Sequence, residues 1–400
     1  MPWARAAAPI PPSFATDRSR SKPVSSATRN GSGITPGYEL IGVVPLPVPS
    51  RWPERVRVFT TPSLPRAGTT PNWFASVMGT GIVANAVPAL PVHPPGLRSA
   101  ATVVWAGAAV WLMVLCVVMV REWWRNPSGQ LAHLRHPVLA HFWGAPPMAL
   151  LTVGAGALAL GRDWIGPGPA FAVAWTLWTA GTALGLVTAV ALPFRMAMSQ
   201  VEDSEPFGGW LMPVVPPMVS AATGAALIPS LPAGQARLTM LLGCYALFGI
   251  SLFATLALLP LIWHRLVRGG PGLAPTVWIV LGPLGQSITA ANLLGAQAPD
   301  TAGRLAGVIY GVPTWGFAML WLVLAAAVVI RAGGKFSLTW WSFTFPLGTC
   351  VTGTSALASV THADLFAAAA VVLYVLLAGL WLTVAVRTLA EIRVSVAGMA

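Results

Sequence analysis

The chain has 400 residues, of which 56% are hydrophobic and only 8% are charged. Soluble domains carry about 25% charged residues, so this composition excludes a water-soluble fold and predicts a membrane protein. The net charge of +12 lies in the N-terminal region and in alternate loops, which indicates membrane topology and gives no reason to expect a nucleic-acid partner.

The N-terminal segment, residues 1–70, is basic and rich in proline and serine. It shows no helical apolar period, and such a composition cannot bury enough apolar surface to fold. It also has no continuous apolar run of the signal-peptide type. We therefore predict a disordered cytoplasmic tail; the alternative is a regulatory arm that contacts anionic lipid headgroups.

Ten apolar segments fill the region 71–390, and each approaches the roughly 20 residues that a membrane-spanning helix needs. These predicted spans are 73–90, 100–120, 137–160, 167–193, 208–229, 236–263, 274–296, 303–330, 336–360 and 363–386. Their short connections require neighbouring spans to run antiparallel. A short C-terminal tail, 391–400, is expected after the last span.

The five odd-numbered spans carry helix-breaking residues, and successive breaks lie 63 to 71 residues apart. The predicted breaks are Gly79 and Gly81, Pro146 and Pro147, Pro216 and Pro217, Gly282 and Pro283, and Pro346. Proline breaks helices, and lipid tolerates a broken helix only inside protein or beside water. Because an internal period indicates a repeated unit, we predict an all-α polytopic membrane fold. Its ten transmembrane helices form five helical hairpins in a pseudo-fivefold arrangement, with the broken helices around a central pore.

Basic residues are distributed unequally between the two sides that this topology defines. The N-terminal tail, the loops after even-numbered spans and the C-terminal tail together carry nineteen Arg and Lys. The opposite loops carry only Arg98, Arg162, Arg237 and Arg304. Because loops rich in Lys and Arg stay in the cytoplasm, both termini are predicted there, in a multi-pass protein of the plasma or inner membrane.

The interior of the predicted spans is polar but uncharged. Hydroxyl groups cluster on the broken spans, and polar groups inside a bilayer are expected to face inward. The candidate pore-lining residues are Thr80, Ser220, Ser287, Thr344 and Thr349. The chain has neither an acidic ring nor a TVGYG-like filter, which cation channels use. Hydroxyls, helix N-termini and basic flanks therefore favour small anions as the transported species.

The sequence contains no sign of a metal or cofactor site. Cys116, Cys244 and Cys350 are scattered and lack metal-ligand spacing, so we interpret them as small core residues. His141 is the one histidine well placed to approach a span interior, and we interpret it as structural.

Two stretches of sequence resemble a known family. NWFASVMGTGIVANA, residues 72–86, is similar to the opening helix of the tellurite-resistance/dicarboxylate transporter family. WWSFTFPLGT, residues 340–349, resembles the ninth helix of its slow-type anion channel branch. The resemblance covers roughly residues 70–390. It implies a ten-helix bundle of pseudo-fivefold symmetry with a central pore, assembled as a homotrimer.

The resemblance also implies a pore gate. In the channel members a phenylalanine on the ninth helix occludes the pore, and Phe345 occupies the matching place in this sequence. Phe343 is two residues away, so on a helix it points about 200° around the axis. An apolar side chain in a pore prevents a continuous water column, and the pore closes by dewetting.

The alternatives for the function of this chain include an anion channel, a carrier and a membrane-embedded enzyme. The leading hypothesis is an anion channel that is gated by an aromatic side chain and passes small inorganic or organic anions. The alternative is a secondary carrier of the same fold for C4-dicarboxylates such as malate, for sulfite or for tellurium oxyanions. A membrane-embedded enzyme would need a polar cluster, and Glu202, Asp203 and Glu205 have no partner motif elsewhere, so we expect no enzyme.

Overall fold

A computed structural model of the protein describes residues 69–201, 205–269 and 274–397. Residues 1–68 of the predicted tail lie outside the described residues, as do Glu202 and Asp203 of the acidic loop. Within the described part the regular structure is helical, which confirms the predicted helical class.

Twelve α-helices follow one another in the described residues. They are α1 (Phe74–Ala86), α2 (Leu97–Arg125), α3 (Pro127–His133), α4 (Ala145–Gly156), α5 (Arg162–Ile165), α6 (Pro167–Ala197), α7 (Pro216–Ala225), α8 (Gln235–Gly269), α9 (Leu281–Gln297), α10 (Thr301–Ala332), α11 (Phe345–Thr361) and α12 (Asp364–Ala397). Five of them are long and exposed on one side, and we call α2, α6, α8, α10 and α12 the long helices. We call α1, α4, α7, α9 and α11 the buried helices.

Each buried helix is preceded by a 3₁₀ helix. These 3₁₀ helices are Pro71–Trp73, Leu139–Gly144, Gly208–Leu211, Ala274–Val280 and Leu338–Phe343. In α4, α7, α9 and α11 the predicted proline breaks fall within the first three residues of the α-helix. The first turn of a helix is where proline fits, because its missing N–H would have no intrahelical partner there. The prolines therefore lie at the start of these α-helices and do not interrupt them.

The first predicted break is wrong. Helix α1 runs without interruption through Gly79 and Gly81, because glycine keeps its backbone N–H and can stay helical. The two glycines allow close packing instead. A Cβ atom on Gly79 would collide with the hydroxyl of Thr344, and one on Gly81 would lie 2.7 Å from a methyl group of Thr152.

The buried helices contact one another in a closed cycle. Helix α1 packs on α4, α4 on α7, α7 on α9, α9 on α11, and α11 again on α1. Each long helix packs against two consecutive buried helices, so that α6, for example, contacts α4 and α7. The core therefore lies between the buried helices and beneath the long ones.

Seven helices in the described part of the chain are long and apolar enough to cross a membrane. The five long helices are 17–28% buried over their most apolar stretch, whereas Leu139–Ile165 and Ala274–Gln297 are 78% and 89% buried. An apolar helix with an exposed apolar face needs lipid around it. The protein is thus a membrane protein with several apolar helices. The other three predicted spans contain shorter α-helices of 13, 10 and 17 residues.

The last helix extends beyond the predicted span 363–386. Helix α12 continues to Ala397, so most of the predicted C-terminal tail is helical. Neither proline nor glycine interrupts residues 380–397, and a helix without a stop signal continues beyond its apolar part.

Candidate functional site

A small cavity lies where the 3₁₀ helices join the buried helices. Its volume is about 20 Å³, which is room for about one water molecule. All five repeats contribute to its wall, four through a buried helix or its preceding 3₁₀ helix and the third through the turn that joins the two. The lining residues are Ala75, Met78, Phe142, Met148, Met212, Val215, Ile279, Gly282, Pro283, Trp341, Ser342, Phe345 and Pro346.

The wall of this small cavity is built from two layers of equivalent positions. The first layer consists of Ala75, Phe142, Met212, Ile279 and Ser342. The second layer lies three residues later in the sequence and consists of Met78, Val215, Gly282 and Phe345. In α4 the corresponding residue, Ala145, does not line the cavity, and Met148 does. Positions three apart share a face of a helix, so four of the five repeats present the same face to the cavity.

Phe345 and its neighbour Phe343 are placed differently. Phe345 begins α11, lines the small cavity and is 4% exposed. Phe343 is equally buried but packs edge-on against Trp278, with ring centroids 5.2 Å apart, and against Trp340 at 5.7 Å. Removal of either ring thus deletes a buried phenyl group, but only the ring of Phe345 borders the cavity.

The hydroxyls of three candidate pore-lining residues accept hydrogen bonds from long helices. Trp381 Nε1 donates to Thr80 at 3.1 Å, Thr182 donates to Ser220 at 2.9 Å, and Tyr310 donates to Ser287 at 2.8 Å. These polar groups therefore join the buried helices to the long helices. Such bonds hold the two sets of helices in register, because an unpaired polar group in an apolar interior is costly.

The hydroxyls of the other two candidates bond to backbone carbonyls. Thr344 donates to the carbonyl of Trp341 at 2.7 Å, and Thr349 donates to that of Pro346 at 2.6 Å. Both residues are fully buried. The protons of both hydroxyls are thus used within α11 and its preceding 3₁₀ helix, as is common for Ser and Thr in a helix, and Thr349 also lies 3.2 Å from the carbonyl of Gly282 on α9.

A large cavity of about 740 Å³ lies at the C-terminal ends of α1, α9 and α11. Its polar lining includes Asn85, Thr289, Asn292, Thr352, Ser355, His93, His362 and Asp364. Neither cavity is lined by a described Arg or Lys. The two cavities therefore differ in polarity, since the small one is nearly all apolar and the large one is mixed.

Two basic residues on the side of the large cavity bond to neighbouring parts of the chain. Arg98 pairs with Asp163 at 2.7 Å, and Arg237 donates to the carbonyls of Leu231 and Pro229. At the other end Arg265 pairs with Glu205 at 2.8 Å. The acidic loop is thus connected to α8, and no group of three His, Cys, Asp or Glu that could hold a metal occurs among the described residues.

His141 lies beside the small cavity without lining it. Its ring is fully buried, stacks on Trp210 at 6.0 Å and meets the edge of Phe207 at 5.3 Å. The neighbouring Phe142 does line the cavity. This aromatic packing fits the structural interpretation of His141.

The sequence of this chain matches a known family over most of its length. Residues 68–389 match the family model described as voltage-dependent anion channel. The chain belongs to this family. The resemblance seen in the first and ninth spans is therefore confirmed, and the protein is a membrane anion transporter of the voltage-dependent anion channel family.

Similar proteins are transporters from archaea and fungi. An uncharacterized transporter of Methanocaldococcus jannaschii is 30% identical over 289 residues, which cover 70% of this chain and 81% of that one. A sulfite efflux pump of Trichophyton rubrum is 29% identical over 319 residues, covering 74% of this chain and 83% of the pump. A sulfite efflux pump of Arthroderma benhamiae is 28% identical over the same length, with the same two coverages.

Several residues of this family member border the cavities although sequence reasoning did not select them. They include Met78, Met148, Met212, Val215 and Ile279. Apolar side chains in an apolar span give no signal by composition. Aligning the five repeats on their breaks would have found four of the five. Met78 and Val215 directly precede Gly79 and Pro216, and Met212 and Ile279 lie four residues before Pro216 and Pro283.

Proposed function

We propose that this protein conducts small anions through a passage enclosed by the five buried helices, and that Phe345 closes this passage. The observation that carries the proposal is the wall of the small cavity. Its first layer takes the equivalent position from all five repeats, and its second layer takes the equivalent position from four of them, as expected where five helices surround one axis. Ten helices in five hairpins, with the shorter buried helices also crossing the bilayer, complete this arrangement.

The closed state follows from the size and polarity of the small cavity. A volume of about 20 Å³ leaves no room for a hydrated ion, and the surrounding side chains are mostly apolar. An apolar constriction excludes a continuous column of water, so an anion meets a high barrier at Phe345. Rotation of the phenyl ring, or a small shift of α11, would widen the passage.

The selectivity for anions follows from what borders the passage. The spans carry no fixed acidic ring, and the loops that we assign to the cytoplasm are rich in Arg and Lys. We propose that both termini lie in the cytoplasm and that the protein resides in the plasma or inner membrane. The large cavity then opens to the outside. A homotrimer, as the resemblance implies, is expected and is measurable from the mass of the detergent-solubilised protein.

The test is anion flux from liposomes that contain equal amounts of purified protein. Phe345→Ala is expected to raise nitrate or chloride flux severalfold, because it removes the ring that closes the passage. Phe343→Ala is the matched control, since it deletes an equally buried phenyl group that does not border the cavity. Equal flux from Phe345→Ala and wild type would refute the gate.

A carrier is the second candidate function, because two of the similar proteins named above are sulfite efflux pumps. Such a carrier of the same fold would move sulfite, malate or tellurium oxyanions. Reversal potentials separate the two mechanisms. A passive pore follows the gradient of the anion alone, whereas a proton-coupled carrier shifts its reversal potential with the pH gradient.

A further inference from the structure

Gln286 lies on α9 between the two cavities. Gly282, four residues earlier, lines the small cavity, and Thr289, three residues later, lines the large one. Residues three and four apart lie on one face of a helix. Gln286 is therefore on the face of α9 that leads from Phe345 toward the large cavity.

The side-chain amide of Gln286 has no hydrogen-bond partner in the described part of the chain. The residue is 5% exposed. Asn292 Oδ1 and Ser355 Oγ are also without a partner, but they are fully enclosed. The amide atoms of Gln286 keep some accessible surface. Leaving a buried amide unpaired is unfavourable, so water or a ligand is expected to bond to it.

The neighbouring polar positions repeat around the helix cycle. We call a set of five equivalent positions the polar ring. Each lies seven residues after the second-layer position of its repeat, and in α4 that position is Ala145. The members of the polar ring are Asn85, Thr152, Ala222, Thr289 and Thr352. Four of the five are polar, and Asn85, Thr289 and Thr352 line the large cavity. Two helical turns therefore separate the apolar layer at Phe345 from the polar ring.

The threonines of the polar ring have already committed their protons. Thr152 donates to the carbonyl of Met148. The two hydroxyl protons of Thr289 and Thr352 are taken up by the contact between these hydroxyls, at 2.8 Å, and by carbonyls of their own helices. The side-chain amide of Gln286, by contrast, keeps both N–H groups available. On the part of α9 between the small cavity and the polar ring, Gln286 is thus the side chain that can donate a hydrogen bond to an anion.

An anion that enters the apolar constriction must give up water. A fixed neutral donor replaces part of that hydration, and it binds weakly enough for the ion to leave again, as conduction requires. Burial in a low-dielectric interior strengthens such a hydrogen bond. The side-chain amide also accepts, so it can bond an oxyanion that carries a proton as well as one that does not.

We infer that Gln286 is the anion-coordinating residue of the passage and sets its selectivity among small monovalent anions. Its Nε2 amide donates to the anion as the ion passes between Phe345 and the polar ring. The inference rests on the proposed function, because it requires a passage along this face of α9.

The experiment compares Gln286 variants in the Phe345→Ala background, where the passage is open. Planar-bilayer recordings give the conductance and the permeability ratios for nitrate, chloride and hydrogen sulfite. Gln286→Leu is expected to lower conductance severalfold and to change the ratios. Gln286→Glu, which has nearly the same shape but adds negative charge, is expected to lower anion conductance further. Gln286→Asn, which keeps the amide, is expected to retain part of the anion conductance of its parent.

Gln130→Leu is the matched control, because Gln130 is a buried amide on α3 that borders neither cavity. It is expected to keep the conductance and ratios of its parent, and thermal unfolding shows whether each variant is folded. Folded Gln286→Leu and Gln286→Glu with unchanged conductance and ratios would overturn the inference while the gate stands. If Phe345→Ala itself leaves flux unchanged, the proposed function fails instead.

Discussion

Gly282 and Phe345 occupy equivalent positions on adjacent buried helices, and both line the small cavity. A methyl group added to Gly282 would meet only Pro346, at 3.9 Å. The glycine thus leaves open space on the wall shared with the phenyl ring. This relationship suggests that the missing side chain on α9 provides room for Phe345 to turn.

Gly282→Ala is expected to fold normally and to reduce anion flux. Alanine is favoured over glycine in a helix by about 0.5–1 kcal/mol, so the unfolding temperature should stay equal or rise, while the added methyl group fills space beside Phe345. Gly285→Ala is the contrasting variant, because its Cβ would collide with the backbone of Thr349 and Cys350. It is expected to lose about 1–3 kcal/mol of stability.

Thermal unfolding in detergent and anion flux from liposomes check both glycine variants. An increase in flux for Gly282→Ala would contradict the role of the open space. A wild-type unfolding temperature for Gly285→Ala would contradict the close contact of α9 and α11.

Tyr310→Phe is expected to reduce stability and leave anion selectivity unchanged. The hydroxyl of Tyr310 donates to Ser287 at 2.8 Å, and a net hydrogen bond is worth about 0.5–1.5 kcal/mol. A double-mutant cycle with Ser287→Ala measures the coupling of the two residues directly. If Ser287 instead borders the conduction pathway, its replacement will shift the permeability ratios, and those ratios should be recorded for all members of the cycle.

Acidification is expected to destabilise the protein through His133. This residue lies in α3, outside the seven apolar helices, and is buried. Burial, and then the nearby charge of His136, hold the pKa of His133 below its usual value of 6.5. The folded protein therefore resists a proton that the unfolded chain accepts, so stability falls as the pH drops below about 6.5.

Unfolding temperatures between pH 8 and pH 5 measure this dependence. His133→Gln should lose less stability on acidification than wild type, because the titrating group is gone. The same slope in both proteins would assign the pH dependence to other groups.

Much of the architecture could be predicted from local sequence. Apolar runs of spanning length, the proline positions in α4, α7, α9 and α11, and the spacing of the repeats are local properties, because hydropathy and proline stereochemistry act within a few residues. The first break could not be predicted this way. Gly79 and Gly81 remain helical because nothing in glycine removes the backbone donor, and the close contact with Thr344 that they permit comes from a distant part of the chain.

Proline was also less decisive than local reasoning implied. Pro193, Pro260 and Pro313 lie inside α6, α8 and α10, and these helices continue through them. Proline in a spanning helix is tolerated where neighbours and local adjustments satisfy the freed groups. A proline by itself therefore does not predict where a helix ends, and its position relative to the helix start must be known.

By itself the sequence determined the membrane class, the helical segments, the repeat and the family, because these depend on composition and on residues close together in the chain. Only the tertiary structure decided where each polar group points. Thr80, Ser220 and Ser287 bond to the long helices, whereas Gln286 remains unpaired beside Gly282. The orientation of a side chain depends on which helices meet at its face, and that depends on contacts between residues far apart in the chain.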